Sequence, residues 1–192
     1  MTSQQMKAGR WSLLATATLS IALLSTAAHA DVSNGGFETG TLASWTLTGD
    51  TSFVGVAEAV GHSGDFGAYF GPTGIGSISQ VLGTTVGAQY QVRFWLALDD
   101  SAATNSFSWS WNGAAQTALT NVAAFDYVSF TATFTASSAN STLQFNFSNP
   151  QSFWRLDDVS VTQVPEPGAY LLMALGLVAV ASARARSLRS ER

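Results

Sequence analysis

An antiparallel β-sandwich is the fold that this sequence predicts for residues 31–163. Three observations predict it. Apolar residues recur at every second position in several short runs, the spacing that places them on one face of a strand. The stretch contains no lysine and few long unbranched helix formers, while Gly, Ser, Thr and aromatic residues are abundant. Turn dipeptides separate the runs at close intervals, as they do in sandwiches and barrels.

Turn signals at Asn34-Gly35-Gly36, Thr48-Gly49-Asp50 and Gly71-Pro72 punctuate the first part of the domain. Gln89–Leu98 is the clearest strand. Tyr90, Val92, Phe94, Leu96 and Leu98 share one face, and Arg93 and Trp95 share the other. Phe107, Trp109 and Trp111 alternate with serines and are followed by the turn pair Asn112-Gly113. Phe130, Ala132 and Phe134 alternate with threonines, and Ser137-Ser138 marks the next turn. Leu143, Phe145 and Phe147 alternate with Gln144, Asn146 and Ser148. Asn149-Pro150 then leads to a closing strand, Leu156–Val161. The length suits one domain with its own core, and no internal repeat is evident.

Both ends of the chain read as addresses. At the front, Lys7 and Arg10 precede an apolar stretch, Trp11–Leu24, and the small-residue site Ala28-His29-Ala30. That order is a signal peptide over residues 1–30, cut after Ala30 to leave Asp31 first. At the back, residues 164–192 begin with Val164-Pro165-Glu166-Pro167-Gly168. Two prolines fix φ and remove amide donors, so the chain breaks there. An uncharged run, Ala169–Ala183, follows and is expected to form a transmembrane helix. Arg184, Arg186, Arg189 and Arg192 make a positive stop on the cytoplasmic side. The run is short, because about 15 residues rise roughly 22 Å against a hydrocarbon core near 30 Å. A marginal span suits a temporary hold.

This tail resembles the PEP-CTERM signal of Gram-negative bacteria, with Pro165-Glu166-Pro167 as its name-giving tripeptide. The resemblance implies an exported protein held transiently in the inner membrane until an exosortase-type enzyme cuts near the motif. It further implies a final place at the cell surface or in an extracellular matrix, in company with exopolysaccharide and biofilm formation.

There is no cysteine, which excludes disulfides, thiolate catalysis and cysteine-based zinc sites. Between Asp31 and Gln163, ten acids face only Arg93 and Arg155, a formal charge of −8. Nucleic acid is excluded as a partner, since its binding rests on lysine and arginine neutralising phosphates.

The domain has a family look of its own. Asn34-Gly35-Gly36-Phe37-Glu38-Thr39-Gly40 opens it, Gly61-His62-Ser63-Gly64 leads to Ala68-Tyr69-Phe70, and Leu156-Asp157-Asp158-Val159-Ser160-Val161 closes it. Together these resemble the galactose-binding-like jelly rolls that include carbohydrate-binding modules of cellulases and xylanases. The resemblance implies a structural calcium ion (Ca2+) joining the first strand, a loop and the last strand. The matching residues are Glu38, Ser63, Asp65, Asp157 and Asp158. Parity with Val159 and Val161 points Asp157 inward, where a carboxylate needs a partner. A cation, Arg155 or backbone amides would each serve.

The tryptophans are candidates for sugar stacking. Trp45 and Trp154 read as core, as do Trp109 and Trp111. Trp95 reads as facing outward beside Arg93 and Asp99, a candidate sugar platform unless a loop or a second sheet covers it. Catalytic signals are weak. Gly61-His62-Ser63-Gly64-Asp65 lacks the final glycine of a hydrolase elbow and the helix such an elbow needs. Asp99-Asp100 and Asp157-Asp158 are neighbours that a strand sends to opposite faces, so neither pair is set to flank a glycosidic bond. The sequence therefore predicts a noncatalytic surface or matrix protein that binds exopolysaccharide. The alternatives are a purely structural or adhesive component and a small polysaccharide hydrolase.

Overall fold

A computed structural model describes residues 30–100, 104–165 and 167–190. The proposed signal peptide up to residue 29 lies outside the described residues, as do Glu166 and Arg192. Among the described residues, ten strands precede one helix. They are β1 (Thr46–Gly49), β2 (Val54–Glu58), β3 (Phe66–Phe70), β4 (Gly76–Gly83) and β5 (Gln89–Leu98), then β6 (Ser106–Trp111), β7 (Ala114–Thr120), β8 (Phe125–Thr135), β9 (Asn140–Ser148) and β10 (Trp154–Val164). The helix α1 spans Pro167–Ser190.

The strands form two five-stranded antiparallel sheets, ordered β1-β4-β9-β6-β7 and β2-β3-β10-β5-β8. The predicted sandwich is thus what the chain forms, and alternation is the reason. Tyr90, Val92, Phe94, Leu96 and Leu98 are all buried on one side of β5. Phe107, Trp109, Trp111, Leu143, Phe145 and Phe147 meet them from the first sheet. Phe94 is the hub: its ring centroid lies 5.2 Å from Trp109, 5.0 Å from Phe145 and 5.3 Å from Phe130. Phe70 of β3 stacks on Phe147 of β9 at 3.9 Å, which joins the sheets again toward one end. Trp45 and Trp154 are buried, with indole N–H groups donating to the carbonyls of Asn34 and Ser148.

The turn chemistry follows the sequence. Asn112 and Gly113 join β6 to β7 with φ of 50° and 76°. Both central residues therefore take the left-handed conformation that suits a tight hairpin and that Asn-Gly adopts most readily. Elsewhere a side chain does the work. Asp50 accepts hydrogen bonds from the amides of Ser52 (3.0 Å) and Gly74 (2.7 Å) and from the hydroxyls of Ser52 and Thr73. These bonds tie the β1–β2 loop to the loop before β4 and hold the Asp50 carboxyl well below the usual carboxylate range, the Ser52 hydroxyl contributing most. A lowered pKa stabilises the fold above the ordinary value near 4, and that support is lost as pH falls toward the depressed value. The melting-temperature gap between the native chain and Asp50→Asn is therefore expected to be open at pH 7 and to narrow on strong acidification. A gap constant over that range, measured by calorimetry, would refute this role.

The C-terminal helix is present, but its expected membrane-spanning character is not confirmed. Among the described residues no helix is long and apolar enough to cross a membrane. The physical reason is the short apolar run already noted, which arginines terminate from Arg184 onward.

Candidate functional site

The outer face of the second sheet carries the chemistry. Strand registers arrange it in rows. Tyr69 of β3 pairs with Gly55 of β2 and Arg155 of β10, and Arg155 pairs with Ala97 of β5. One step toward one end, Asp157 pairs with Trp95, which pairs with Ser129. Toward the other end, the Gly71 amide bonds to the Phe53 carbonyl, and the Asp99 amide bonds to the Phe153 carbonyl.

Asp157 is fully buried, as expected, but on the other face. Its β5 partner is Trp95, whereas the preceding Leu156 pairs with core residue Leu96. The register shifts between Asp157 and Ser160, and Asp158 has φ of 49°. This bulge reverses the parity on which the inward assignment rested. The 61–64 loop covers Asp157 from outside. Its Oδ2 accepts from the amides of His62 (2.7 Å) and Ser63 (3.0 Å), and its Oδ1 from the amide of Asp158 (2.7 Å). Backbone amides are therefore the partners it finds. Burial still pushes its pKa up, against the pull of those bonds.

Asp158 clamps the same loop. Its oxygens accept from His62 Nδ1–H (2.7 Å) and the Ser63 hydroxyl (2.8 Å). Glu38 holds the next turn, accepting from the amides of Asp65 (3.0 Å) and Phe66 (3.2 Å). The loop fits so closely because Gly61 and Gly67 lie against each other: a Cβ on Gly67 would be 2.5 Å from the Gly61 Cα.

Glu38, Ser63, Asp157 and Asp158 are thus brought together, and Asp65 adjoins them through its amide. As they are arranged, however, the oxygens of all three linked carboxylates are committed to protein donors. Among the described residues no group of three or more acidic or histidine side chains is disposed to hold a metal ion. Calcium requires several oxygens converging on one point, and this set does not fit it.

The Trp95 platform needs correction. Trp95 does face out of the sandwich, with the Arg93 guanidinium carbon 5.5 Å from its ring centroid. Yet His62 lies flat on that ring, at 3.8 Å and an interplanar angle of 12°, and meets Tyr127 edge-on at 5.4 Å. The loop that Asp157 and Asp158 hold down is what occupies the ring. Tyr127 in turn donates to the Val60 carbonyl at 2.7 Å, and burial pushes its phenol above the ordinary range. Asp99 belongs elsewhere, paired with Arg155 at 2.5 Å.

Open aromatic surface lies beside that ion pair. A cleft of about 430 Å³ is lined by Phe53, Ala57, Val60, Tyr69 and Phe153, with Asp99 and Arg155 in its wall. Tyr69 and Phe153 meet edge to face at 5.4 Å, and Phe53 is 65% exposed. A second cleft of about 330 Å³ lies across the ion pair, bounded by Phe125 and Asp126. Sequence reasoning found Asp99 but missed Phe53, Tyr69 and Phe153. They come from three separate segments that only the strand registers unite.

At the C-terminal end Val164 closes β10, Pro165 follows, and Pro167 and Gly168 begin α1. Arg184, Arg186 and Arg189 lie on that helix. Residues 163–187 match the PEP-CTERM protein-sorting motif. No curated protein matches the chain. Among solved structures the sandwich is similar to the module TmCBM61, solved with β-1,4-galactotriose, at 19% identity and a TM-score of 0.54 over 69% of this chain and 97% of the module. It is similar to the CBM22-1 xylan-binding domain from Paenibacillus barcinonensis at 17% identity and a TM-score of 0.50, covering 69% of this chain and 93% of that one. A cleaved adhesin domain of Lys-gingipain from Porphyromonas gingivalis matches at 14% identity and a TM-score of 0.53, over 68% of this chain and 96% of the domain. At such identities the likeness is one of fold. The chain therefore joins a β-sandwich built like those of carbohydrate-binding modules to a PEP-CTERM sorting motif, which implies export, processing by an exosortase and display at the cell surface.

Proposed function

We propose that this is a noncatalytic surface or matrix protein that holds a neutral polysaccharide in the cleft between Phe53, Tyr69 and Phe153. The observation that carries the reading is the cleft itself: three aromatic rings around a volume of about 430 Å³, with an ion pair at the wall. Sugar rings present C–H faces to aromatic surfaces, and hydroxyls find donors and acceptors in Arg155 and Asp99. A cleft of this size and mixed lining is the usual form of a small-ligand site. The formal charge of −8 over residues 31–163 disfavours an anionic polymer. The one carboxylate lining this cleft, Asp99, is paired with Arg155, so no second acid faces it across the cleft, which supports the noncatalytic reading.

Affinity electrophoresis of the full chain in detergent through β-1,4-galactan, xylan and, as the anionic control, alginate tests this. Retardation is expected in a neutral polymer and not in alginate. Phe153→Ala is expected to weaken binding about tenfold or more, as loss of a central aromatic contact does, while the melting temperature changes little. Absence of retardation in any polymer would favour the alternative, a structural or adhesive component without a sugar site. Release of reducing ends would instead show a hydrolase.

A further inference from the structure

We infer that β8 is a self-association edge, to which a second copy of this chain adds its own β8, antiparallel, about a twofold axis. Strand β8 ends its sheet and, among the described residues, pairs only with β5. It is 11 residues long and carries no charge, proline or glycine from Tyr127 to Thr135. Soluble proteins shield such edges with charge, proline, bulges or brevity. Here only a register shift near the start of the strand does so. The opposite edge, β2, has five residues and ends on Glu58.

The core is also thin along this side. Of ten partly buried apolar residues packed on the core, six are Leu119, Val122, Phe125, Phe130, Ala132 and Phe134, on β7, β8 and the segment joining them. Val128 is 48% exposed although its β5 partner, Leu96, is fully buried. A copy's edge would cover what the chain leaves open.

Charge selects the occupant. From Ser101 to Ser152 the only charged residue is Asp126. Two strongly acidic domains repel each other elsewhere, and along β8 they do not. Antiparallel pairing centred on Phe130 sets Asp126 opposite the copy's Phe134. The two Asp126 carboxylates then lie about 26 Å apart at roughly 3.3 Å per residue, beyond the screening length. Parallel pairing would place them side by side. The antiparallel arrangement is self-complementary and closed, as twofold interfaces are.

The absence of cysteine makes the test clean. Single cysteines are placed in the purified full-length chain, at Ser129, Thr131 and Thr135 on β8 and at Ala57 on β2, and the variants are mildly oxidised alone and as an equal mixture of Ser129→Cys with Thr131→Cys. Disulfide-linked heterodimer is expected when the Ser129→Cys and Thr131→Cys chains are mixed, about fivefold or more above either chain alone and above Thr135→Cys or Ala57→Cys, because with Phe130 on the axis Ser129 of one copy faces Thr131 of the other within disulfide reach, whereas each lies about 8 Å from its own counterpart. Adding Thr131→Lys to the Ser129→Cys chain of that mixture is expected to remove the heterodimer, with circular dichroism verifying the fold of each variant. Equal yields at all positions, a cross-linked product of another mass, or a dimer indifferent to Thr131→Lys would each overturn the inference.

Discussion

Replacing Asp157 with alanine is expected to cost about 3 kcal/mol or more and to lower the melting temperature by about 10 °C. The size follows from what the carboxylate does. Three backbone amides, those of His62, Ser63 and Asp158, donate to it, and the residue is fully buried. Alanine leaves all three part-buried donors without this acceptor, and each one that stays shielded from water costs about 1–3 kcal/mol. The loss should be local before it is global. Asp157 and Asp158 are the carboxylates that bind residues 62 and 63 over Trp95, while Glu38 and Tyr127 hold the chain on either side. Hydrogen exchange at the His62 and Ser63 amides should therefore quicken well below the melting temperature. Slow exchange at both amides in Asp157→Ala would show that the loop is held by something else.

The same residue gives a pH signature opposite to that of Asp50. Burial raises the Asp157 pKa in the folded chain. The pH-dependent part of its contribution is thus fully present below the unfolded value near 4 and is lost as pH rises through the folded value. Relative to Asp157→Asn, the native chain should gain stability on acidification from neutrality toward pH 4, where Asp50 begins to lose its own contribution.

Much of this architecture was legible in the sequence, and the part that was not has a physical reason. Strands β5, β6 and β9 announce themselves because each sends a large apolar residue inward at every second position, and β10 does so on either side of its bulge. Strand β7 does not: Ala114–Thr120 is small and polar, an edge strand with little core to fill. The outward direction of Trp95 was readable from its neighbours, whereas the cover that His62 places on it was not, since His62 lies in a loop more than thirty residues earlier. The Asp157 face failed for a different reason. Parity counting assumes an unbroken strand, and nothing in Asp157-Asp158 signals that the second residue takes a left-handed φ. The cleft was least legible of all, because Phe53, Tyr69 and Phe153 share no motif and meet only through the pairing of β2, β3 and β10.

Phe94→Ala is the substitution expected to damage the fold most, by about 3–5 kcal/mol. Phe94 is fully buried and contacts rings from both sheets, Trp109 and Phe145 across the sandwich and Phe130 beside it. Alanine removes the ring's burial and leaves a cavity. Strands on both sides fix its neighbours, so the walls cannot close without bending a sheet, and little of the loss is recovered. Phe94→Leu keeps most of the volume and should cost much less. The comparison with Phe153→Ala separates fold from site. Phe94 lies inside the sandwich and Phe153 lines the open cleft, so Phe94→Ala should lower the urea midpoint sharply while polysaccharide retardation of the folded chain persists. Phe153→Ala should do the reverse. If both substitutions weakened stability and binding in the same proportion, the cleft would be no more than a dent in the core's outer wall, and the binding reading would lose its support.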